Sequence, residues 1–126
     1  MALFYNKVQR ANPSNPDAPK KWYPVLKSIG RMTEKQVAKE IADETTLNPK
    51  EAEMAIYQFQ KVLTKALLDG KTVQLGELGS FQLTIKSKGV DNESGVTASL
   101  VEKINLRFSP SNDLKNNLKK AQFKAK

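Results

Sequence analysis

The feature that most constrains this chain is a long amphipathic segment between residues 49 and 69. Asn48 has the side chain of a helix cap, Pro49 suits the first helical position, and Gly70 marks the end. Between these signals, apolar side chains recur at three- and four-residue spacing: Ala52, Ala55, Ile56, Phe59, Val62, Leu63, Ala66 and Leu67. One short neighbouring helix cannot cover so wide an apolar face, so the long helix needs a further packing partner.

The segments around this helix predict an α+β domain. A short amphipathic helix runs to about Glu44. After Gly70, strands are expected over residues 72–75 and 81–86, joined by a turn at 76–80. Residues 88–98 are polar and too many for a tight turn, and alternation over 100–108 predicts a return strand. A C-terminal helix is expected to start at Ser109 and Pro110, with Leu114, Leu118 and Ala121 on one face.

The first thirty residues predict a separate β-hairpin. Residues 3–8 and 22–29 are strand-like, and a loop rich in Pro and Asn joins them at 11–19. Pro24 places the second strand at a sheet edge because proline cannot donate a ladder hydrogen bond. The aromatic content of these strands argues against a disordered tail. The expected domains are therefore 1–31, the hairpin extension, and 32–126.

Several classes of protein are disfavoured by what the sequence lacks. Cysteine and histidine are absent, which excludes disulfides and the usual zinc and catalytic-triad chemistries. No paired carboxylates or phosphate-binding Gly-rich loop suggest an enzyme, so no cofactor, metal or small-molecule substrate is expected. The start does not look like a secretory signal, and no stretch approaches the roughly 18 apolar residues of a membrane span. A cytoplasmic protein without a membrane partner is expected.

The positive charge of the chain is concentrated at its ends. The net charge is +8, made up of +5 over residues 1–32, −2 over 33–70, +1 over 71–108 and +4 over 109–126. A basic surplus can simply serve solubility. Its confinement to the ends, around a neutral-to-acidic middle, favours a polyanionic partner.

Two segments resemble the HU/IHF family of bacterial histone-like proteins. They are DGKTVQLGELGSFQL at residues 69–83 and LRFSPSNDLKNNL at residues 106–118. The resemblance extends over about residues 32–123, and the added hairpin resembles longer variants of the family from Bacteroidetes-like bacteria. It implies a helical dimerisation layer, a three-stranded antiparallel sheet and a protruding β-arm. It also implies a nucleoid-associated homodimer that binds double-stranded DNA with little sequence preference and bends or compacts it.

The resemblance also suggests which residues act. The expected DNA contacts are Lys71, Gln74, Gly79, Ser80, Lys86, Lys88, Lys103, Arg107, Lys115 and Lys119, and the expected dimer interface contains Ile56, Phe59, Leu63 and Phe81. Gly79 has two interpretations. It can be a turn glycine that needs a positive φ, or its backbone N–H can approach a phosphate beside the Ser80 hydroxyl.

The arm departs from the family pattern. Typical members carry an arginine-rich tip with a proline that wedges between base pairs, whereas residues 87–96 contain one lysine, two acids, no arginine and no proline. A proline wedge is excluded there, and Val90 or Val96 offers at most a weak apolar substitute. The phosphates are then expected to be bound by the cations at the base of the arm, here called the arm bases (Lys86, Lys103 and Arg107), by the C-terminal lysines and by the basic residues of the N-terminal block.

Three alternatives to this function stay open. A helix-turn-helix would need basic and amide side chains on the second helix, which instead offers Glu51, Glu53 and Tyr57. A protein–protein interaction or structural module of the same fold would explain the poor arm. RNA is an alternative partner because backbone contacts alone do not identify the sugar.

Overall fold

The computed structural model describes residues 2–126. Its contacts divide the chain into two compact units, Met1–Thr33 together with Asn117–Lys126, and Glu34–Asn116. The elements in chain order are β1 (Ala2–Arg10), β2 (Lys21–Lys27), α1 (Glu34–Glu44), α2 (Pro49–Leu68), β3 (Val73–Leu75), β4 (Gly79–Ser87), β5 (Val101–Pro110), α3 (Asn112–Leu118) and β6 (Gln122–Ala125). The contiguous domains 1–31 and 32–126 remain a prediction, since contacts group the C-terminal residues with the N-terminal ones.

The smaller unit is a three-stranded mixed sheet in the order β2-β1-β6. The expected hairpin is present as antiparallel β1 and β2, with β2 at an edge, where Pro24 lies opposite Lys7. The third strand, β6, pairs parallel to β1 and was not expected. The backbone N–H of Lys126 donates to the carbonyl of Tyr5 at 3.1 Å, which extends this pairing.

The predicted C-terminal helix is therefore wrong in its second half. α3 ends at Leu118, and the N–H of Ala121 donates to the Leu118 carbonyl in a turn. Ala121 lies beyond the helix, so it does not continue the face of Leu114 and Leu118. The open edge of β1 explains the difference, because residues 122–125 gain backbone hydrogen bonds there that a short, lysine-rich helix would lack.

α1 ends at Glu44, as predicted, and α2 begins at Pro49 and ends at Leu68, one residue before the predicted end. At the start of α2, the N–H of Glu51 donates to Asn48 Oδ1 at 2.8 Å and the N–H of Asn48 donates to Glu51 Oε1 at 3.3 Å, a reciprocal capping box. At its end, Gly70 has a φ of 82° and its N–H donates to the Leu67 carbonyl. The left-handed turn requires glycine and directs the chain into β3.

β3, β4 and β5 form the expected three-stranded antiparallel sheet. The turn is shorter than predicted, because β4 already begins at Gly79. β5 runs through Pro110, which the sequence assigned to the start of a helix; Pro110 instead pairs with Gly79, and α3 begins two residues later. The pairing slips at a bulge between Lys86 and Ser87, where the arm begins.

The buried core within one chain is small. Among the described residues, the buried apolar side chains are Ala38 on α1 and Ala52 and Leu67 on α2. In the sheet, the rings of Phe81 and Phe108 pack with their centroids 4.9 Å apart. Large apolar side chains elsewhere in the larger unit, among them Phe59, Val62 and Phe108, stay exposed.

Candidate nucleic-acid interface

The antiparallel register sorts β3, β4 and β5 into an apolar and a polar face. Side chains alternate along each strand, and directly paired residues share a face. The apolar face carries Val73, Phe81, Leu83, Ile85, Ile104, Leu106 and Phe108. The polar face carries Gln74, Ser80, Gln82, Thr84, Lys86, Lys103, Asn105, Arg107 and Ser109. Five of the predicted DNA contacts, Gln74, Ser80, Lys86, Lys103 and Arg107, therefore lie on one face of one sheet.

The nine residues of the polar face include three cations and no acid, and the acid next to them in the sequence is Glu102, which the register leaves unpaired at the bulge. Lys86 pairs directly with Lys103, and Arg107 lies opposite the neutral Gln82. None of the nine residues of this face is a carboxylate, and all three cations are exposed. Like charges directly opposite each other destabilise a sheet. An anion bound between them would remove that cost, so this surface is suited to phosphate.

The other four predicted cations lie off the sheet. Lys71 follows the end of α2, and Lys115 lies on α3. Lys88 lies beyond the bulge, where its N–H donates to the Leu100 carbonyl at 3.1 Å. Lys119 follows α3 and belongs to the smaller unit. The structure therefore groups only the sheet residues of the predicted set, and a role for the others stays a prediction.

Gly79 is explained by packing. It is buried, with a φ of 146°, and a Cβ there would collide with the Ser109 carbonyl and lie 2.9 Å from Pro110 Cα. Glycine is thus required for the close approach of β5 to the start of β4. Phosphate contact by its N–H stays a prediction. Ser80 is half-buried opposite Ser109 on the polar face.

Ser111 is a structural residue that the sequence reasoning missed. Its Oγ donates to the Glu77 carbonyl and accepts from the N–H of Leu114 at 3.0 Å, while its own N–H donates to the Leu78 carbonyl at 3.1 Å. It therefore caps α3 and fastens the turn between β3 and β4 to the end of β5. The sequence offered Ser111 as a helix cap three residues before Leu114, but the start of the helix was placed at Ser109 and Pro110 instead.

The arm tip is held by local structure and carries the wrong charge for phosphate. Two 3-10 turns, Glu93–Gly95 and Ala98–Leu100, shape it. Val96 is exposed, and Val90 lies beside Gly95. Residues 88–96 contain Lys88 against two acids, a net charge of −1.

The predicted dimer residues fall into two groups. Ile56, Leu63 and Phe81 are half-buried within one chain, whereas Phe59 is 39% exposed. Phe59 belongs to a second stripe of α2, made of Ala55, Phe59 and Val62 at helical spacing, which stays exposed among residues 2–126. The wide apolar face of α2 is thus divided between a side packed within the subunit and a side left open.

Within residues 2–126, no cluster of three or more acidic side chains is placed to hold a metal ion. No helix in that range combines the length and the apolar character needed to cross a bilayer.

Comparison with known proteins identifies the family. The model of the family described as an HU domain fused to a wHTH, Ig or glycine-rich motif matches residues 1–125. The chain belongs to the HU/IHF family. Integration host factor subunit alpha from Stenotrophomonas maltophilia strain K279a is 30% identical to this HU/IHF protein over 86 residues, which are 67% of this chain and 87% of the relative. The same subunit from strain R551-3 matches equally well.

Solved structures show the same fold. A Bacteroides vulgatus ATCC 8482 protein, assigned as a bacterial DNA-binding protein, superposes with a TM-score of 0.67 at 14% identity over 98% of this HU/IHF chain. The chain spans about half of that protein, 48% of its length. Anabaena HU, in a cocrystal structure with DNA, gives a TM-score of 0.55 at 15% identity and covers 69% of this chain and 97% of its own.

Proposed function

We propose that this HU/IHF protein is a nucleoid-associated protein that binds duplex DNA as a homodimer, with little sequence preference, and bends or compacts it. The observation that carries this proposal is the polar face of β3, β4 and β5, where Lys86, Lys103 and Arg107 lie together without an acid. Family membership supports the same function, since Anabaena HU has been crystallised with DNA.

The chemistry of the polar face favours contacts to the backbone. Its members are lysine, arginine, serine, threonine, asparagine and glutamine, which are donors typical of phosphate and sugar contacts. Such contacts position a protein on DNA without reading sequence. Duplex DNA carries one negative charge per roughly 1.7 Å of axis, so a row of cations on an extended arm meets phosphates in any sequence.

We assign the main phosphate contacts to the arm bases because the charge of the tip opposes such contacts. Lys86, Lys103 and Arg107 lie on paired strands, whereas residues 88–96 are net negative. The tip has neither the arginines nor the proline wedge that typical members of the family carry there. A sharp kink in the DNA is therefore not expected.

A second copy of the chain is the expected cover for the open apolar surface. Among residues 2–126 of one subunit, the buried apolar side chains are Ala38, Ala52 and Leu67. Phe59 and Val62 on α2 are 39% and 55% exposed, and Phe108 in the sheet is 41% exposed. Exposed apolar side chains of this size are costly in water, and a patch of them is typical of an interface. In the proposal, a second copy of the chain covers these side chains, and the contact between the two copies is the dimer interface.

The proposed role is architectural and not catalytic. Phosphate contacts need neither a nucleophile nor a metal, and the polar face offers cations and hydrogen-bond donors for them. A cytoplasmic location at the nucleoid follows from this partner.

A salt series of binding measurements tests the proposal. With about five phosphates neutralised, log K against log salt is expected to have a slope near −4 to −5, equal for two unrelated duplexes. The Lys86→Gln/Lys103→Gln/Arg107→Gln variant should flatten the slope by about 2 to 3 units. A matched control, Lys35→Gln/Lys39→Gln/Lys50→Gln, removes the same charge from exposed helix positions of the same unit and should change the slope little.

Two results would contradict the proposal. A salt-independent affinity, or an equal loss in both triple variants, would remove the polar face as the site. Absence of duplex binding by a folded protein would instead favour a protein-interaction module of the same fold.

A further inference from the structure

The smaller unit holds the positive surplus of the chain. Met1–Thr33 and Asn117–Lys126 together contain ten Lys and Arg and a single acid, Asp17, for a net charge of +9. Glu34–Asn116 contains eleven Lys and Arg and twelve acids, for a net charge of −1. The pairing of β6 with β1 joins the two basic ends of the chain in one sheet. A unit with this balance of charges attracts polyanions.

The strand register sorts the β2-β1-β6 sheet into two unlike faces. Directly paired residues share a face, and neighbours along a strand alternate between faces. One face, here called the cation face, carries the paired residues Arg10 and Lys21 and, around Phe4, the residues Lys27 and Lys124. Among the described residues of this sheet, no acid lies on the cation face. The opposite face carries rings and one cation: Tyr5, Lys7, Trp22 and Phe123.

The cations form two clusters at opposite ends of the cation face. At one end, Arg10 lies directly opposite Lys21. At the other end, Lys27 on β2 and Lys124 on β6 lie on either side of Phe4. Phe4 and Arg10 are six residues apart on β1, which is about 20 Å of extended strand. A small anion cannot reach both clusters, whereas a polyanion with closely spaced charges can.

The Phe4 ring joins the C-terminus of the chain to the second cluster. Lys126 directly follows β6, and its Nζ lies 5.5 Å from the centroid of the Phe4 ring. Lys126 therefore adds a fifth cation to the cation face. Three cations around one ring repel each other, and a bound anion would reduce that repulsion.

The first cluster opens into a pocket with further hydrogen-bond donors. The pocket has a volume of about 270 Å³, and its lining includes Arg10, Asn12, Lys21 and Tyr23. Tyr23 lies on the cation face and is 44% exposed, and its hydroxyl can donate. Asn12 Oδ1 accepts from the N–H of Ser14 at 2.9 Å, so the amide NH2 is the group left to donate. Guanidinium, ammonium, hydroxyl and amide donors around one pocket suit phosphate oxygens.

We propose that the cation face is a second duplex-DNA surface of this protein, with a backbone phosphate in the pocket of Arg10 and Lys21 and others at Lys27 and Lys124. Duplex DNA carries one charge per roughly 1.7 Å of axis, so about 20 Å of duplex presents roughly a dozen phosphates. The inference rests on the proposed function, because a duplex bound by the polar face of β3, β4 and β5 is held at a high effective concentration for the rest of the same chain.

The composition of the cation face favours a duplex over a membrane or a single strand. Membrane surfaces are bound by exposed apolar side chains beside cations, whereas Phe4 and Val8 of this face are half-buried. Single strands stack their bases on exposed rings. Among the described residues of the sheet, the cation face offers Tyr23 as its exposed ring, because Trp22 and Phe123 lie on the opposite face. Contacts to a duplex backbone need only charge and donors, which the cation face has.

Duplex titrations over a salt series test the two clusters one at a time. The variants are Arg10→Gln/Lys21→Gln and Lys27→Gln/Lys124→Gln. Each should reduce the slope of log K against log salt by about 1 to 2 units, since one phosphate contact contributes about 0.9. The loss should be the same for two unrelated duplexes, because backbone contacts do not read sequence.

A matched control separates the cation face from the total charge of the unit. Lys7→Gln/Arg31→Gln removes one Lys and one Arg from exposed positions of the smaller unit, with Lys7 on the opposite face of the sheet. It should leave the slope close to that of the parent. All of the substituted positions are exposed, so the variants are expected to fold, which circular dichroism checks.

The Lys86→Gln/Lys103→Gln/Arg107→Gln variant separates the two duplex surfaces. In that background, duplex binding should persist with a residual salt dependence, and adding Arg10→Gln/Lys21→Gln should remove most of what remains. If the polar-face variant binds as the parent does while the cation-face variants lose slope, the polar face fails as a site and the cation face is supported. If the cation-face variants keep the parent slope while the polar-face variant loses it, the inference is overturned and the proposed function stands.

Other outcomes would also overturn the inference. An equal loss of slope in the Lys7→Gln/Arg31→Gln control would mean that total charge, and not the cation face, sets the binding. The cation-face variants might keep their duplex affinity but lose binding to the matching single strand, or to vesicles of 7:3 phosphatidylcholine and phosphatidylglycerol. Either result would assign the cation face to that ligand and remove duplex DNA from it.

Discussion

Lys86 on β4 and Lys103 on β5 lie directly opposite each other on the polar face of the sheet, next to the uncharged Thr84 and Asn105. Directly paired residues have their Cβ atoms roughly 4.5–5.5 Å apart, so the two ammonium groups repel each other in the free protein. This repulsion agrees with the proposed duplex site, because a bound phosphate would relieve it.

This pair predicts that stability and binding change in opposite directions. Lys86→Gln should stabilise the free protein at low salt by about 0.2–1 kcal/mol, since it removes a like-charge pair, and should weaken duplex binding. Urea unfolding and duplex titration on the same samples measure both effects. At high salt the gain in stability should vanish because the charges are screened. A loss of stability at every salt concentration together with unchanged binding would show that the pair has no part in DNA contact.

The open stripe of α2 predicts a dimer. Phe59→Ala should cost roughly 3–5 kcal/mol, because the ring is expected to be buried by the partner copy. Tyr57→Ala on another side of the same helix should change stability by less than about 0.5 kcal/mol. The melting temperature should rise with protein concentration, as it does when folding and association are coupled. Light scattering that shows a single monomeric species at micromolar concentration would refute the dimer.

Two glycines of the larger unit should respond differently to alanine. Gly79→Ala should destabilise the protein by roughly 1–3 kcal/mol, because the new Cβ meets the backbone of Ser109 and Pro110. Gly89→Ala, where a Cβ meets nothing within 4 Å, should change stability by less than about 1 kcal/mol. Thermal unfolding of the two variants compares them. Equal effects would mean that close packing does not explain Gly79.

The parts of the fold with strong local signals were predictable from the sequence. Asn48, Pro49 and Gly70 set the limits of α2 correctly because capping and chain reversal depend on neighbouring residues. The residue pattern likewise located the strands β3, β4 and β5, and the family resemblance implied their arrangement in one antiparallel sheet. The edge position of β2 followed from Pro24, which has no N–H to donate.

The errors arose where distant residues decide the structure. β6 is four residues long and exists because β1, at the other end of the chain, offers it an edge. Pro110 suits a helix start by its local preference, but its pairing with Gly79 keeps it in β5. The candidate site shows the same limit. The sequence named Lys86 and Lys103 separately, whereas their direct opposition depends on the register of β4 and β5.

The last prediction concerns where duplex affinity resides on the arm. Residues 88–96 are net negative, so their charge opposes approach to phosphate, whereas Lys86 and Arg107 lie on the paired strands below them. Lys86→Ala/Arg107→Ala should weaken binding to all duplexes about equally and reduce the salt slope by roughly one per lost contact. Deletion of residues 89–95 should change affinity much less, because it removes Asp91 and Glu93 but no cation. Titration of both variants against the same duplexes over a salt series separates the two regions of the arm. If deletion of the tip abolishes binding while the double variant binds normally, the main DNA contacts lie at the tip and the assignment to the arm bases is refuted.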